Sequence, residues 1–183
     1  MRYGDEGIVK ILNAYKKQVQ GNIYEGFSVC EDLYRFSQKE VIPEFYKLYL
    51  PIRFKDITEG NIFNIQNMDK IYANKKQTIQ LKFKRIETKV TKHESEEFLK
   101  VICEQITCLN PSIEILENGE AENNIRWTDY KMTYGKSNGY VMLFCIWKNE
   151  QMLYGEFTCT YNEAVYWKHI FLSMIKTGEI LEG

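Results

Sequence analysis

The stretch from Gly139 to Trp147 is apolar on both faces of an extended chain. In a strand, successive side chains point to opposite faces, so the even-numbered residues form one apolar row and the odd-numbered residues form another. A strand without a polar face needs cover on both sides. We therefore expect this strand to lie inside a sheet, with helices packed on both faces.

Short polar segments separate this strand from similar ones. Four strands are predicted in this part of the chain, over 112–117, 124–134, 139–147 and 152–159. The turns between them are predicted at Asn118-Gly119, at 135–138 and at Asn149-Glu150. Asn-Gly favours a hairpin turn because both residues tolerate a positive φ. Since turns this short join antiparallel strands, the sequence predicts an antiparallel meander.

Apolar residues at helical spacing predict four helices. These helices cover 5–20, 41–50, 91–109 and 162–177. The third opens with Thr91 and Glu94, the spacing of a capping box. The fourth carries Trp167 and Phe171 on a broad apolar face, which we expect to be buried against the sheet. Gly178 is expected to end this helix.

These elements predict an α+β protein in which an antiparallel sheet of five or six strands is sandwiched between α-helices. The chain has 183 residues, which is enough for one substantial core, and we predict a single domain over 1–183. Within it, residues 1–60 are predicted to form a helical N-terminal part. Residues 61–183 are predicted to form the sheet with its flanking helices.

The composition of the chain excludes some classes of partner and indicates a compartment. The chain carries 24 Lys+Arg and 25 Asp+Glu, whereas a nucleic-acid binder usually has a basic excess, so we expect no nucleic-acid partner. No apolar run has the length of a leader or reaches the roughly 20 residues that span a bilayer, so we expect a cytoplasmic protein without membrane contact. The five cysteines form no CxxC pair, and we expect no structural disulfide.

Residues that support catalysis lack their usual partners. The Gly-Lys-Ser sequence at 135–137 matches the end of a P-loop, but Tyr130 stands where the motif begins with Gly. The two histidines, His93 and His169, have no Cys, Asp or Glu at metal-ligand spacing. We therefore predict a non-catalytic protein, with no metal and no cofactor.

Charge is unevenly distributed along the chain. Residues 70–92 contain eight basic residues and one acidic residue, whereas residues 93–129 contain nine acidic and two basic residues. Either these two blocks neutralise each other across the folded surface, or one of them binds a partner. The sequence leaves both alternatives open.

The first candidate binding surface is a predicted strand over 77–86. Apolar residues alternate there with polar ones, and we assign Lys82, Lys84 and Arg85 to the polar face. Such a surface would hold an acidic protein, and its association would weaken as salt rises. Replacing all three residues by Glu is expected to abolish capture without unfolding the chain.

The second candidate surface is one face of the strand over 124–134. It presents Arg126, Tyr130 and Tyr134 among other polar and aromatic residues. Tyr and Arg are common at interaction surfaces. If this face is open, it is a recognition surface. If a helix covers it, the same residues are part of the packing.

The end of the chain resembles a known family. Residues 155–159 read Gly-Glu-Phe-Thr-Cys, and Trp167, Phe171 and Met174 follow on the closing helix. Across residues 112–177 this pattern resembles the end of PsbP-like domains, a family that includes photosystem extrinsic proteins, a Ran-binding nuclear-transport factor and small bacterial proteins. The resemblance implies an antiparallel sheet between helices and a mostly non-enzymatic scaffold with diverse partners. The bacterial pattern often has Pro where this chain has Thr160.

Two classes of function stay open. The first is a small bacterial protein that acts through protein–protein interaction, as a regulatory or immunity-type partner. The second is a small-molecule or lipid-binding module with an apolar cavity between sheet and helix. An open aromatic-polar surface would favour the first class, and an apolar pocket would favour the second.

Overall fold

The computed structural model describes residues 19–30, 32–59, 67–135 and 137–181, which contain thirteen strands and two helices. The first eight strands are β1 (Val19–Asn22), β2 (Gly26–Val29), β3 (Asp32–Tyr34), β4 (Phe36–Ile42), β5 (Tyr46–Pro51), β6 (Lys55–Asp56), β7 (Lys70–Ala73) and β8 (Gln80–Ile86). The remaining elements are α1 (Lys92–Leu109), β9 (Glu114–Ala121), β10 (Ile125–Tyr134), β11 (Ser137–Lys148), β12 (Gln151–Thr160), α2 (Tyr161–Ile175) and β13 (Glu179–Ile180). The predicted α+β class is confirmed.

The main sheet has seven strands in the order β6-β7-β8-β12-β11-β10-β9, and every pairing in it is antiparallel. Two further sheets have three strands each, in the orders β1-β2-β3 and β13-β5-β4. The C-terminal meander is therefore confirmed. The main sheet is larger than the five or six strands predicted, because β6 and β7 form where the sequence pattern indicates no strand.

The two-sided strand β11 lies inside the main sheet, between β10 and β12. Its even-numbered residues from Tyr140 to Ile146 belong to a core on the side of α2. Its odd-numbered residues from Val141 to Cys145 belong to a second core under α1. The prediction that helices cover both faces of this strand is confirmed.

Both helices begin with a capping box. The Thr91 side chain accepts a hydrogen bond from the Glu94 backbone N–H, and the Glu94 carboxylate accepts one from the Thr91 N–H. Thr160 forms the same box with Glu163 at the start of α2. Neither helix in the described residues has the length and apolarity needed to cross a bilayer.

The last helix packs on the sheet as predicted. Trp167 and Phe171 are 2% and 1% exposed, and their rings stack with centroids 5.5 Å apart. The helix ends earlier than predicted: its last residue is Ile175, and Lys176 is the C-cap, whose backbone N–H donates to the Leu172 carbonyl. Gly178 therefore lies beyond the cap.

The prediction of a helical N-terminal part is wrong for its described residues, which form strands β1 to β6. The predicted helix over 5–20 lies outside the described residues except for Val19 and Gln20, which begin β1. The predicted helix over 41–50 is a hairpin of β4 and β5.

The hairpin forms because its apolar residues alternate. Tyr46, Leu48 and Leu50 are buried, whereas the residues between them are partly exposed. Glu44 turns the chain with a φ of 58°. An alternating pattern places one row of side chains in the core, which a helix over the same residues would not do.

The predicted turn at Asn118-Gly119 is also wrong, because both residues lie within β9. Gly119 is required there by packing: a Cβ would lie 2.7 Å from Cζ2 of Trp127 on the neighbouring strand. The chain turns a few residues later, where Asn123 and Asn124 have φ values of 64° and 55°.

All five cysteines are free thiols. Cys30 and Cys108 are exposed. Cys145 is buried under α1 and Cys159 in the core on the other side of the sheet. Burial raises the pKa of the Cys145 thiol to about 11, so this group stays protonated at neutral pH. The absence of a disulfide in solution stays a prediction.

We expect Gly155→Ala to destabilise the protein by about 1–3 kcal/mol, because overpacking strains a filled core. A Cβ at Gly155 would lie 2.1 Å from Cζ of Phe144. Gly139→Ala is the matched control, since its Cβ would meet Met132 Cγ at an ordinary 3.5 Å. Urea unfolding of both variants measures the difference. Equal stabilities would show that the Phe144 ring is free to move aside.

Candidate interaction site at an open sheet edge

Strand β9 is the outermost strand on one side of the main sheet. It pairs with β10, and within the described ranges no strand pairs with its other side. The residues from Glu114 to Asn118 are all exposed. At the opposite end of the sheet β6 has only two residues. Unpaired backbone N–H and C=O groups along an exposed edge can accept a further strand.

The side chains of this edge are acidic. Residues 114–122 include four glutamates and neither Lys nor Arg. Ile115 and Leu116, 39% and 37% exposed, provide apolar contact area beside them. Like charges directly opposite each other destabilise a strand pair. The edge therefore disfavours an acidic partner and favours a basic one.

A cavity of about 390 Å³ lies between α1 and β9. Leu99 and Cys103 of α1 line one wall, and Ile115 of β9 lines the other. Three glutamates and two basic residues also line this cavity: Glu96, Glu104, Glu120, Lys100 and Arg126. An apolar wall with several carboxylates around it suits a side chain that has an apolar stem and a positive end.

Arg126 joins the helix to the edge strand beside this cavity. Its guanidinium lies 3.3 Å from the Glu96 carboxylate of α1 and 3.0 Å from the Glu120 carboxylate of β9. Arg126 is therefore engaged within the molecule and holds the cavity's two walls in place.

A second cavity, of about 530 Å³, lies on the other face of the sheet, between β9 and α2. Leu116 of β9 lines it together with Tyr161 and Val165 of α2, and all three side chains are partly exposed. Side chains of a strand alternate between faces. The two cavities therefore flank the same edge strand on opposite sides of the sheet.

A buried polar network holds the middle of β9 in place. Asp129 of β10 is fully buried. Its carboxylate accepts hydrogen bonds from the Tyr140 hydroxyl at 2.6 Å and the Glu117 backbone N–H at 2.8 Å. The Lys168 ammonium of α2 lies 2.6 Å from both the Asp129 and the Glu117 carboxylates. The network thus connects α2 to three neighbouring strands.

The titratable donors of this network stay protonated, so the network has a structural role. Burial, together with the adjacent Asp129 carboxylate, raises the pKa of Tyr140. Burial alone would lower the pKa of Lys168, but the hydrogen bonds to Asp129 and Glu117 outweigh it and the pKa is raised. Both groups therefore stay protonated as donors at neutral pH, and neither can act as a general base.

The structure separates the residues of the first predicted surface. Lys82 lies 2.5 Å from the Glu156 carboxylate, which is 8% exposed. Arg85 points to the opposite face of β8, where its guanidinium lies 4.5 Å from the centroid of the Phe45 ring. Lys84 is partly exposed on the face of Lys82. The assignment of Arg85 to the polar face is wrong, because odd-numbered residues of β8 share the face of Phe83.

These contacts change the stability expected for the variant in which Lys82, Lys84 and Arg85 are all replaced by Glu. A carboxylate in place of Lys82 would stand beside the buried Glu156, and loss of Arg85 would uncover Phe45. Removing one partner of a buried ion pair is strongly destabilising. We therefore expect this variant to lose stability, in contrast to the prediction made from the sequence.

Three lysines of the basic block have partners outside the acidic block. The ion pairs of the basic block join Lys70 to Asp56, Lys82 to Glu156 and Lys89 to Glu150. None of these acidic residues lies within 93–129. These three lysines therefore do not neutralise the glutamates of β9, two of which have other partners: Glu117 pairs with Lys168 and Glu120 with Arg126.

Helix α1 covers the second predicted surface. Tyr130 is 6% exposed and belongs to the core under α1, and Arg126 is held between two glutamates. The side chain of Tyr134 lies outside the described part of the chain. The described residues of this surface are therefore packing residues.

A groove at the end of α1 is lined by one residue from each of the two predicted surfaces. Lys82 and Tyr130 both line this groove, which has a volume of about 520 Å³. Ile106 and Ile113 form apolar walls, and the Glu156 carboxylate lies beside Lys82. This is a helix–sheet groove of the kind that the second function class requires.

Sequence reasoning missed the edge of β9. A usable signal was present, since a strand that directly follows a helix and starts a meander lies at an edge unless a distant strand pairs with it. The misplaced turn at Asn118-Gly119 shortened this strand and hid its acidic pattern. Asp129 and Lys168 were also missed, because their contact joins two segments that are distant in the chain.

Comparison with known proteins identifies the fold. No family model and no curated protein matches the sequence. The solution structure of cyanobacterial PsbP (CyanoP) from Synechocystis sp. PCC 6803 superposes with a TM-score of 0.59 and 7% identity, covering 79% of this chain and 92% of that one. A crystal structure from Bacteroides thetaiotaomicron gives a TM-score of 0.50 and 13% identity. The match covers 80% of this chain and 49% of the Bacteroides chain, so this chain spans about half the length of that protein.

The chain therefore has a PsbP-like fold, as the resemblance of its C-terminal part implies. The likeness extends well beyond residues 112–177, since it covers 79% of the chain. At this level of identity it defines the fold alone, and function has to be argued from the site.

Proposed function

We propose that this chain is a non-catalytic protein-binding module whose partner docks on the open edge of β9. The observation that carries the proposal is the edge itself, which is eight residues long, acidic and flanked by a cavity on each face. A regulatory or immunity-type role would use such a surface. We place the protein in the cytoplasm, because an odd number of cysteines without a CxxC pair suits free thiols in a reducing compartment.

The non-catalytic part of the proposal rests on the polar clusters. The Asp129 network consists of fixed donors around one carboxylate. In the described ranges no group of three His, Cys, Asp or Glu residues could hold a metal ion. His169 packs edge-on against the Phe27 ring, with centroids 5.8 Å apart, which is a packing role.

The charge of this edge favours a basic partner, whereas the sequence analysis considered an acidic partner. An acidic partner was expected only if the basic strand held it. Lys82 and Arg85 on that strand are engaged within the molecule. The glutamates of β9 and the strand's open backbone support a basic protein partner.

Photo-crosslinking tests the proposed docking site. Benzoylphenylalanine is placed at Ile115 on β9 and, as a matched control, at Val101 on α1, because the two native side chains are 39% and 46% exposed. In the native host we expect one protein to crosslink from position 115 and not from position 101, with the contacting peptide identified by mass spectrometry. Crosslinking from position 101 alone, or equally from both, would refute docking at β9.

The groove at the end of α1 supports a second candidate function, the binding of a small apolar molecule. Its apolar walls and buried ion pair resemble the lining of small-molecule sites, where a few polar groups orient a mostly apolar ligand. A bound molecule would stabilise the fold by mass action. Native mass spectrometry of the protein purified from its host would show such a molecule as an added mass, which Ile106→Trp should remove by filling the groove.

A further inference from the structure

We infer that the partner segment is an extended chain of alternating basic and apolar residues, added to β9 as an eighth strand of the main sheet. This inference rests on the proposed function and specifies its partner. Successive side chains of the added strand would face opposite sides of the sheet. Basic and apolar residues therefore alternate, because the cavities on the two sides differ in chemistry.

The α1 side of the edge suits basic side chains. A lysine or arginine pointing to this side would place its aliphatic stem against Leu99 and Ile115. Its charged end would then lie among the three glutamates that line the cavity, Glu96, Glu104 and Glu120, and near Lys100, whose ammonium lies 3.3 Å from the Glu97 carboxylate. Since Glu96 and Glu120 already share Arg126, Glu104 is the principal partner for the incoming charge.

The α2 side of the edge suits apolar side chains. Leu116 and Val165 offer partly exposed apolar surface there. This side already holds two cations: Lys168 lies within the Asp129 network, and the Lys131 ammonium lies 4.9 Å from the centroid of the Tyr161 ring. Asp129, the carboxylate that lines this cavity, is fully buried and already has the Lys168 ammonium at 2.6 Å. It is therefore a poor partner for an incoming positive charge, whereas a valine or leucine would extend the apolar contact.

A second copy of the chain does not fit the same edge. Pairing of two β9 strands would bring the glutamates of residues 114–122 from both copies together. Like charges on directly opposite residues destabilise a strand pair. The acidic sequence therefore selects against self-association and for a basic segment of another protein.

Peptide binding tests this inference. A labelled peptide of alternating lysine and valine is titrated with the full chain, and fluorescence anisotropy reports binding. An alternating glutamate–valine peptide is the charge control. Two further lysine–valine peptides carry N-methyl groups on one or the other alternate set of backbone amides. We expect the lysine–valine peptide to bind, the glutamate–valine peptide not to bind, and only one of the N-methylated peptides to lose binding.

Charge reversal on the edge provides the protein control. Glu104→Lys with Glu114→Lys changes the principal partner of the incoming charge and an exposed glutamate of β9, and we expect about tenfold weaker binding of the lysine–valine peptide. Glu59→Lys with Glu87→Lys makes the same charge change at exposed residues elsewhere, and should have little effect. Raising salt from about 0.1 M to about 1 M should weaken the binding, because the Debye length falls from about 10 Å to about 3 Å.

Several results would overturn the inference. Equal binding of both charge types, or of all N-methylated peptides, would exclude a basic strand addition. A dimer of the free chain in sedimentation that the lysine–valine peptide dissociates would identify a second copy as an occupant of this edge. If no peptide binds while crosslinking from position 115 captures a partner, the docking site stands and the extended basic segment is wrong.

Discussion

Asp129→Asn is expected to destabilise the protein by about 3–5 kcal/mol, the range found when one partner of a buried charged pair is removed. The carboxylate is fully buried and has three donors, on Tyr140, Lys168 and the Glu117 backbone. An amide in its place has only one oxygen, and its NH₂ group would face a donor. Urea denaturation at neutral pH measures the loss.

Glu120→Gln is the matched control for this prediction. It changes a carboxylate on the edge strand that is 71% exposed and pairs with Arg126. Exposed pairs contribute about 0–1 kcal/mol, so this variant should remain close to the native chain in stability. If Asp129→Asn were no more destabilising than Glu120→Gln, the network would not be what holds β9 against α2.

Phe171→Ala is expected to cost about 3–5 kcal/mol, as for other buried aromatic residues cut back to Ala. Phe171 packs against Trp167 on its own helix and Phe157 on β12. Its removal would leave a cavity in the larger of the two cores. The free energy of unfolding, from thermal or urea denaturation, reports the change.

Val165→Ala separates this effect from a general weakening of α2. Val165 lies on the same helix but is 43% exposed, and exposed substitutions usually change stability by about 0.5 kcal/mol or less. A large loss in both variants would mean that the helix itself is marginal. A large loss in Phe171→Ala alone would confirm that α2 is held by its buried face.

The sequence predicts the C-terminal half of the fold because local patterns there agree with the tertiary structure. The two apolar rows of β11 require cover on both faces, and the structure has a helix on each side. The capping box at Thr91 marks the start of α1 through hydrogen bonds between near neighbours. Such signals need no information about distant parts of the chain.

The N-terminal errors arise where local pattern is ambiguous. Residues 41–50 have apolar residues that fit both a helical and an alternating spacing, and pairing of β4 with β5 and β13 selects the strand. The Asn118-Gly119 error has a similar cause. A favourable turn sequence is overridden because Gly119 faces the Trp127 ring across the sheet.

The candidate site depends on contacts that no single segment encodes. Tyr130 and Arg126 look like recognition residues until α1 is placed over them. Lys82 looks free until Glu156 is placed beside it. Whether a strand lies at an edge depends on the order of all seven strands. Sequence pattern therefore identifies which residues are charged or aromatic, whereas topology decides which of them a partner can reach.

Hydrogen exchange of the amides in β9 is the most direct test of the proposed docking site. The exchange of the free chain is compared with that of the chain bound to the partner identified by crosslinking. If the partner docks on this edge, amides within Glu114–Ala121 become protected on binding, while those of β8 around Lys82 and Lys84 keep their rates. Protection at β8 with no change in β9 would contradict the account and return the interaction to the basic strand.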